Sequence, residues 1–449
     1  MGDLTKIFKA YDVRGVVPDD FDEAIAEATG AAFVRVTGAT ALVTAHDMRP
    51  SSVPLATAFA RGAASQGADV IEAGLGSTDM LYYASGSLDL PGVMFTASHN
   101  PAKYNGMKLC RSGARPIGQD SGLNEIRDLV ASGVPVHDGE PGKVSQRDLL
   151  SGYAEHLKTL VDLTGIRPLK VVVDAGNGMG GYTVPAVFEG LPLEVVPLYF
   201  ELDGTFPNHE ANPIDPENLR DLQAAVIEHK ADLGLAFDGD ADRCFAVDER
   251  GEIVTPSAIT ALVAVRELAK HPGSSVVHNL ISSRAVPEVI KEHGGTPIRT
   301  RVGHSFIKQT MAETGAVFGG EHSAHFYFRE FWFADSGMLA ALHVLAALGE
   351  QPGPLSELLS EFDRYPASGE INSEVADQVA ATAKVRAAFE DRPGVVIDEL
   401  DGMTVAAADW WFNLRPSNTE PLLRLNAEAT DEQTMAAIRD EVLAIVRES

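Results

Sequence analysis

The chain has 449 residues, 45% hydrophobic and 22% charged, which is the balance of a folded globular protein and excludes a disordered one. With 36 Lys plus Arg against 64 Asp plus Glu the formal charge is −28, which excludes non-specific nucleic-acid binding through a basic surface and opposes adsorption to anionic lipid. Two cysteines, Cys110 and Cys244, cannot build a disulfide framework, and no stretch approaches the ~18 apolar residues of a membrane span, so a cytoplasmic protein is expected. The start, Met1-Gly2-Asp3-Leu4-Thr5-Lys6, lacks the basic-then-apolar build of a signal peptide, and Lys6 stands where a myristoylation signal requires Ser or Thr.

At about 150 residues per domain, the length corresponds to about three domains. Short apolar runs alternate with amphipathic stretches, which predicts α/β architecture. The pattern gives a helix over 54–64, strands over 68–73 and 92–96, a strand over 170–174, a helix over 219–229 and a strand over 232–237. A third round reads as helix 257–270, strand 275–280, helix 285–292, strand 298–302 and a helix from about 305 to 313. After about Phe362 the order changes. A helix near 378–389, strand-like stretches at 395–398, 404–407 and 422–427, and a closing helix over 431–446 predict a smaller α+β domain.

Four segments between these elements carry chemistry. Thr96-Ala97-Ser98-His99-Asn100-Pro101 follows a strand, and in open α/β sheets ligands gather at the carboxyl ends of strands. Ser98 reads as a nucleophile that a base or metal must activate, with His99 beside it to orient it; a polar turn broken by Asn-Pro is the alternative. Asp238-Gly239-Asp240-Ala241-Asp242-Arg243 places carboxylates at i, i+2 and i+4. A straight strand would hold the outer pair ~13 Å apart, so the segment must curl, which Gly239 permits. Three crowded carboxylates call for a hard cation. An EF-hand fails, because Arg243 occupies the sixth position, where glycine is required, although Glu249 falls at the twelfth.

Glu321, Ser323 and His325, in Gly319-Gly320-Glu321-His322-Ser323-Ala324-His325, alternate and are expected to project from one strand face toward sugar hydroxyls. No cysteine or second close histidine pair joins them to suggest zinc. Arg415-Pro416-Ser417-Asn418-Thr419-Glu420-Pro421 gathers a guanidinium, hydroxyls and an amide suited to an anion, or else forms a capped turn. Asp174-Ala175-Gly176-Asn177-Gly178-Met179-Gly180-Gly181 is a poor match to a dinucleotide fingerprint. Its glycines are expected to shape a tight strand-to-helix turn.

Taken in this order, with Phe8-Lys9-Ala10-Tyr11-Asp12-Val13-Arg14-Gly15 ahead of them, the four segments resemble the α-D-phosphohexomutase family over essentially the whole chain, most closely its bacterial phosphomannomutase/phosphoglucomutase branch. The resemblance implies an α/β fold of three similar mixed α/β domains, 1–147, 148–250 and 251–364, followed by a smaller α+β C-terminal domain, 365–449, around a central cleft. It makes Ser98 the phosphorylated serine, and Asp238, Asp240 and Asp242 the ligands of Mg²⁺ together with a phosphoryl oxygen on Ser98. It lines the transfer centre with Arg14, Lys108 and Arg243, and assigns Lys108 and His325 to proton shuttling. Glu321 and Ser323 are expected on the sugar hydroxyls, with His304 and His325 nearby, while Arg415, Ser417, Asn418 and Thr419 grip the phosphate that is not reacting. One departure stands out. Many relatives carry a lysine where Asn279-Leu280-Ile281-Ser282-Ser283 places Ile281, and Arg284 and Arg301 are the cations at hand to compensate.

The implied reaction moves a phosphoryl group between O6 and O1 of a hexose phosphate, through phosphoserine and a hexose 1,6-bisphosphate that also serves as activator. The expected partner is the hexose phosphate alone, with no nucleic acid and no membrane; oligomeric state is not legible. The expected substrate is mannose phosphate, with glucose phosphates also used, and four rivals remain: a metal-dependent phosphatase, a non-enzymatic metal or sugar-phosphate binding protein, an enzyme whose main activity is phosphoglucomutase, and a phosphoglucosamine mutase.

Overall fold

The computed structural model describes residues 3–416 and 422–448, with His304 described only through its backbone. The chain forms two compact units, Met1–Thr255 with Ser323–Leu358, and Pro256–His322 with Leu359–Ser449. Among the described residues, no helix is long and apolar enough to cross a membrane.

The first unit contains two mixed sheets. In one, the strands run in the order Val13–Val16, Tyr104–Arg111, Gly92–Phe95, Ala41–His46, Asp69–Leu75, Val144–Gln146. Its central strands are parallel, so their following loops emerge at one edge: His46 pairs with Phe95, and the chain after each runs on side by side. The core behind it packs Phe33, Phe59 and Phe95 in tilted and edge-to-face contacts at centroid distances of 5.8 and 5.6 Å. In the other sheet the order is Ile253–Val254, Cys244–Asp248, Leu233–Phe237, Leu169–Asp174, Leu193–Leu198. Leu233–Phe237 is buried throughout, as a strand covered on both faces must be, and it turns back antiparallel into Cys244–Asp248 through residues 238–243. A hairpin of Phe326–Phe328 with Ala334–Asp335 and the fully buried helix Gly337–Gly349 complete this unit.

In the second unit, Thr296–Thr300, Ser275–Asn279 and Phe318–Gly320 pair in parallel. An antiparallel sheet, Ala367–Glu374, Leu422–Ala429, Trp410–Pro416, Met403–Ala406, Val396–Asp398, packs its apolar face on the helices Gln378–Phe389 and Glu432–Arg447. Three mixed or parallel α/β sheets followed by an antiparallel α+β sheet are the fold class expected. Two strands of the last sheet escape the sequence pattern. Ala367–Glu374 is a polar edge strand without an apolar run, and Trp410–Leu414 is buried at every position, so it shows no alternation.

Candidate active site

The site in the first unit begins with backbone geometry. Ser98 is buried, and its φ of +49° places a non-glycine residue in the left-handed region. Its amide donates to Thr96 Oγ1 at 2.9 Å, and its Oγ donates to Asp238 Oδ2 at 2.7 Å. His99 Nδ1 lies 3.2 Å from the same Oγ. Because a hydroxyl has one proton and here gives it to Asp238, a hydrogen bond between this oxygen and His99 has the imidazole as donor. Burial, with Arg243 and Arg14 nearby, holds His99 well below the usual imidazole range, so it is neutral.

The aspartate segment is a turn, and offers one oxygen from each of Asp238, Asp240 and Asp242, all within 4.8 Å of one another and all buried. The turn's left-handed residue is Ala241, with φ of +57°; Gly239 does not supply the curl. A Cβ at Gly239 would instead lie 2.4 Å from the Ser98 carbonyl oxygen, so glycine is there to let the two loops touch. The glycine run after Leu169–Asp174 has a matching purpose. A Cβ on Gly178 would fall 2.7 Å from the Gly239 carbonyl, and the Met179 amide donates to that carbonyl at 2.9 Å. It buttresses the aspartate turn and holds no dinucleotide fingerprint.

Cations balance the turn unevenly. Arg243 places Nε and a terminal nitrogen on Asp238 Oδ2 at 3.0 and 2.9 Å, so its fork is committed to that aspartate. Lys108 Nζ donates to Asp240 Oδ2 at 2.8 Å and to Asp242 Oδ2 at 2.5 Å. Burial and the two neighbouring carboxylates raise Asp238 despite Arg243. Burial pushes Asp240 and Asp242 the same way, but Lys108 overrides it, and both end below the ordinary carboxyl range. The two aspartates in turn hold Lys108 well above the ordinary ammonium range against its own burial, which makes it a fixed cation and a poor proton acceptor. His325 lies with Nε2 3.6 Å from Asp242 Oδ1 and Nδ1 3.1 Å from Ser323 Oγ. Arg14 reaches Asn100 Oδ1 at 2.5 Å and Asp12 at 2.7 Å, while its buried Nε has no hydrogen-bond partner among the described residues.

This donor set fits a hard divalent cation. Among the described residues, Asp240 Oδ1, fully buried, accepts no hydrogen bond, and neither does Asp242 Oδ1. Lys108 and Thr78 both bind the other oxygen of Asp240, leaving Oδ1 open. Three carboxylate oxygens without sulfur or nitrogen suit magnesium or calcium better than zinc.

In the second unit, Glu321 is buried and accepts from the Gly303 amide at 3.1 Å, at the start of the helix His304–Thr314. The strand geometry expected for Glu321, Ser323 and His325 is absent: the flanking strands are Phe318–Gly320 and Phe326–Phe328, and Ala324 is left-handed at +63°. Ser323 and His325 still meet, through a turn. Arg415 closes the strand Trp410–Pro416 opposite Arg424, and both guanidinia flank Glu370 at 3.3 and 3.4 Å. One terminal nitrogen of Arg415 is buried without a hydrogen-bond partner among the described residues. Ser417, Asn418 and Thr419 lie outside the described residues. Ile281 packs with Leu280 and Trp411 in an apolar cluster. Arg284 cannot stand in for the missing lysine, because its guanidinium donates to the carbonyls of Ala407, Ala408 and Trp410. Arg301 stacks on Phe306 at 4.7 Å.

Sequence reasoning missed Asp47 and Arg49, in the loop after Ala41–His46, and Thr78, which bonds Asp240 through both its amide and its hydroxyl. The signal was available for the first pair: an Asp-x-Arg at the carboxyl end of a strand that neighbours the Ser98 strand.

Family models of phosphoglucomutase/phosphomannomutase match the chain in four consecutive stretches: alpha/beta/alpha domain I over residues 5–135, domain II over 151–251, domain III over 255–365 and the C-terminal domain over 370–445. The phosphomannomutase of Salmonella montevideo is 41% identical over 99% of this chain and 100% of its own length. A protein of Xanthomonas campestris pv. campestris named phosphohexose mutases is 42% identical over 97% of this chain and 98% of its own. A crystal structure of a phosphoglucomutase/phosphomannomutase family protein from Burkholderia thailandensis superposes with a TM-score of 0.88 at 33% identity, covering 98% of this chain and 97% of that one.

Proposed function

The chain belongs to the phosphoglucomutase/phosphomannomutase family, and from that membership we propose that it is an isomerase interconverting mannose 6-phosphate and mannose 1-phosphate, with glucose phosphates as further substrates. The observation that carries the reading is the Ser98 hydroxyl, held by a left-handed backbone and donating at 2.7 Å into a buried cluster of three aspartates.

In this reading Ser98 carries the phosphoryl group and hands it to the free O1 or O6 of a hexose phosphate. The resulting 1,6-bisphosphate returns its other phosphate to Ser98. Asp238, Asp240 and Asp242 would hold Mg²⁺, which when bound neutralises charge on the transferring group. Arg14 and Lys108 supply fixed positive charge beside the loop, and Arg243 holds Asp238 in place. Lys108 keeps its proton, so His325 is left as the group that moves protons at the sugar hydroxyls. Glu321 and Ser323 bind those hydroxyls with His304, and Arg415 with Ser417, Asn418 and Thr419 grips the distal phosphate. Arg284 and Arg301 both have other partners, and Ile281 is apolar, so this chain works with one phosphate contact fewer than relatives that carry the lysine. The four-domain division at 147, 250 and 364 belongs to the same proposal.

Parallel mutase assays with mannose, glucose and glucosamine phosphates, each with Mg²⁺ and a hexose 1,6-bisphosphate, test the reading. Isomerisation fastest with mannose supports it, whereas release of free phosphate without isomerised sugar would make the chain a phosphatase.

A further inference from the structure

Arg49 is one of the largest fully buried side chains of the protein, and every N–H of its guanidinium has an acceptor. Nε donates to Asp47 Oδ2 at 3.2 Å. One terminal nitrogen donates to the carbonyls of Pro101 and Tyr104, at 2.9 and 3.1 Å, and the other to those of Ser98 and Asn100, at 2.8 and 2.7 Å. The Phe206 ring lies beneath the guanidinium plane, 5.1 Å away. Asp47 in turn accepts from the Arg49 amide at 3.0 Å and from Ser52 Oγ at 2.6 Å, which fixes the fork from behind.

Four backbone carbonyls of one loop converge on this group. Converging carbonyl dipoles repel, and only a planar cation with a fork of donors satisfies them together. The loop they belong to carries the nucleophile. A non-glycine residue in the left-handed region is strained, and such strain persists only where its surroundings over-determine it. At Ser98 the surroundings are specific: the Arg49 bond on its carbonyl, the Thr96 bond on its amide, and the Gly239 backbone against the same carbonyl. Turning that peptide out of the fork would swing Oγ away from Asp238.

We propose that Arg49 is a positioning residue for phosphoryl transfer, acting by clamping the carbonyls of residues 98, 100, 101 and 104 so that Ser98 Oγ is aimed into the aspartate turn. The proposal rests on the reading of Ser98 as phosphoryl carrier. Every N–H of the Arg49 guanidinium goes to Asp47 or to a backbone carbonyl of this segment, so its loss acts through the loop's geometry.

The test compares wild type, Arg49→Lys and Asp47→Asn in the full-length protein. Lysine keeps the charge but cannot span four carbonyls, and Asp47→Asn leaves arginine in place with its rear support weakened. Misplacing a reacting group by about 1 Å costs on the order of 10²-fold. We therefore expect kcat of Arg49→Lys to fall about 10²-fold, and Asp47→Asn to fall less, with the KM for hexose phosphate within about threefold of wild type. The rate of Ser98 labelling by radiolabelled hexose 1,6-bisphosphate should fall in parallel, counted per mole of protein that melts cooperatively. Wild-type labelling rates in both variants, or a loss that vanishes when counted per folded molecule, would overturn the proposal. If Arg49→Lys does not fold, Asp47→Asn decides alone: a labelling rate equal to wild type is then the overturning result. Failure of the parent reading looks different, because wild-type protein would then take no label at Ser98.

Discussion

Ser98 joins two demands that a side chain alone cannot meet. A free serine hydroxyl is a weak nucleophile, so its surroundings must place it and accept its proton. Here the left-handed backbone places it, and its Oγ donates a hydrogen bond to Asp238. Ser98→Ala is expected to abolish turnover while leaving the fold intact; near-normal mutase activity in that variant would remove Ser98 from the mechanism. For Arg415 the proposed role is binding rather than chemistry. Buried at the end of its strand, with a terminal nitrogen lacking a partner among the described residues, it holds donors suited to an anion. Hydrogen bonds to a charged group contribute about 1.5–3 kcal/mol, so Arg415→Ala should raise KM roughly tenfold or more with little change in kcat. A loss confined to kcat would contradict the assigned grip.

At the level of elements, chemistry sits where parallel strands end. The loops after Ala41–His46, Gly92–Phe95 and Leu233–Phe237 supply Arg49, Ser98 and the aspartates, and the loop after Leu169–Asp174 buttresses the last of these. Such loops need close backbone approach more than side-chain contact. Gly239→Ala tests this directly, since its Cβ would stand 2.4 Å from a backbone oxygen that cannot move without moving Ser98. Overpacking of this kind costs about 1–3 kcal/mol. We expect a lower melting temperature together with at least a tenfold loss of kcat. Wild-type values for both would show that the two loops are free to part.

On the scale of the whole molecule, the −28 charge opposes an anionic substrate at long range, but screening over about 8 Å leaves the decision to the local cations. Stability carries a pH signature of its own. Burial pushes His278 down to about 4, and its Nδ1 sits 3.0 Å from the Asn279 carbonyl. The folded state keeps this ring neutral, whereas the unfolded chain protonates it below about 6.5. Its contribution is therefore full above about 6.5 and is lost as pH falls toward about 4, amounting to roughly 3 kcal/mol. Denaturant melts of wild type and His278→Gln between these limits should show a shallower acid limb in the variant. Equal slopes would mean that the ring is protonated in the folded state.

What the sequence settled by itself was the chemistry available and its order along the chain. Alternating apolar runs dictate α/β units, and the serine, aspartate, glutamate and arginine segments each announce a functional group by composition. Conformation inside those segments was not legible. Gly239 looked like the source of the curl, yet Ala241 makes the turn and Gly239 only yields space. Glu321, Ser323 and His325 looked like a strand face, yet the local chain turns. Arg49 carried no signal beyond its place after a strand, because its role depends on four carbonyls more than forty residues away. Periodicity and residue type are local properties, whereas left-handed backbone, close approach and convergence of carbonyls on a cation exist only once distant segments pack together.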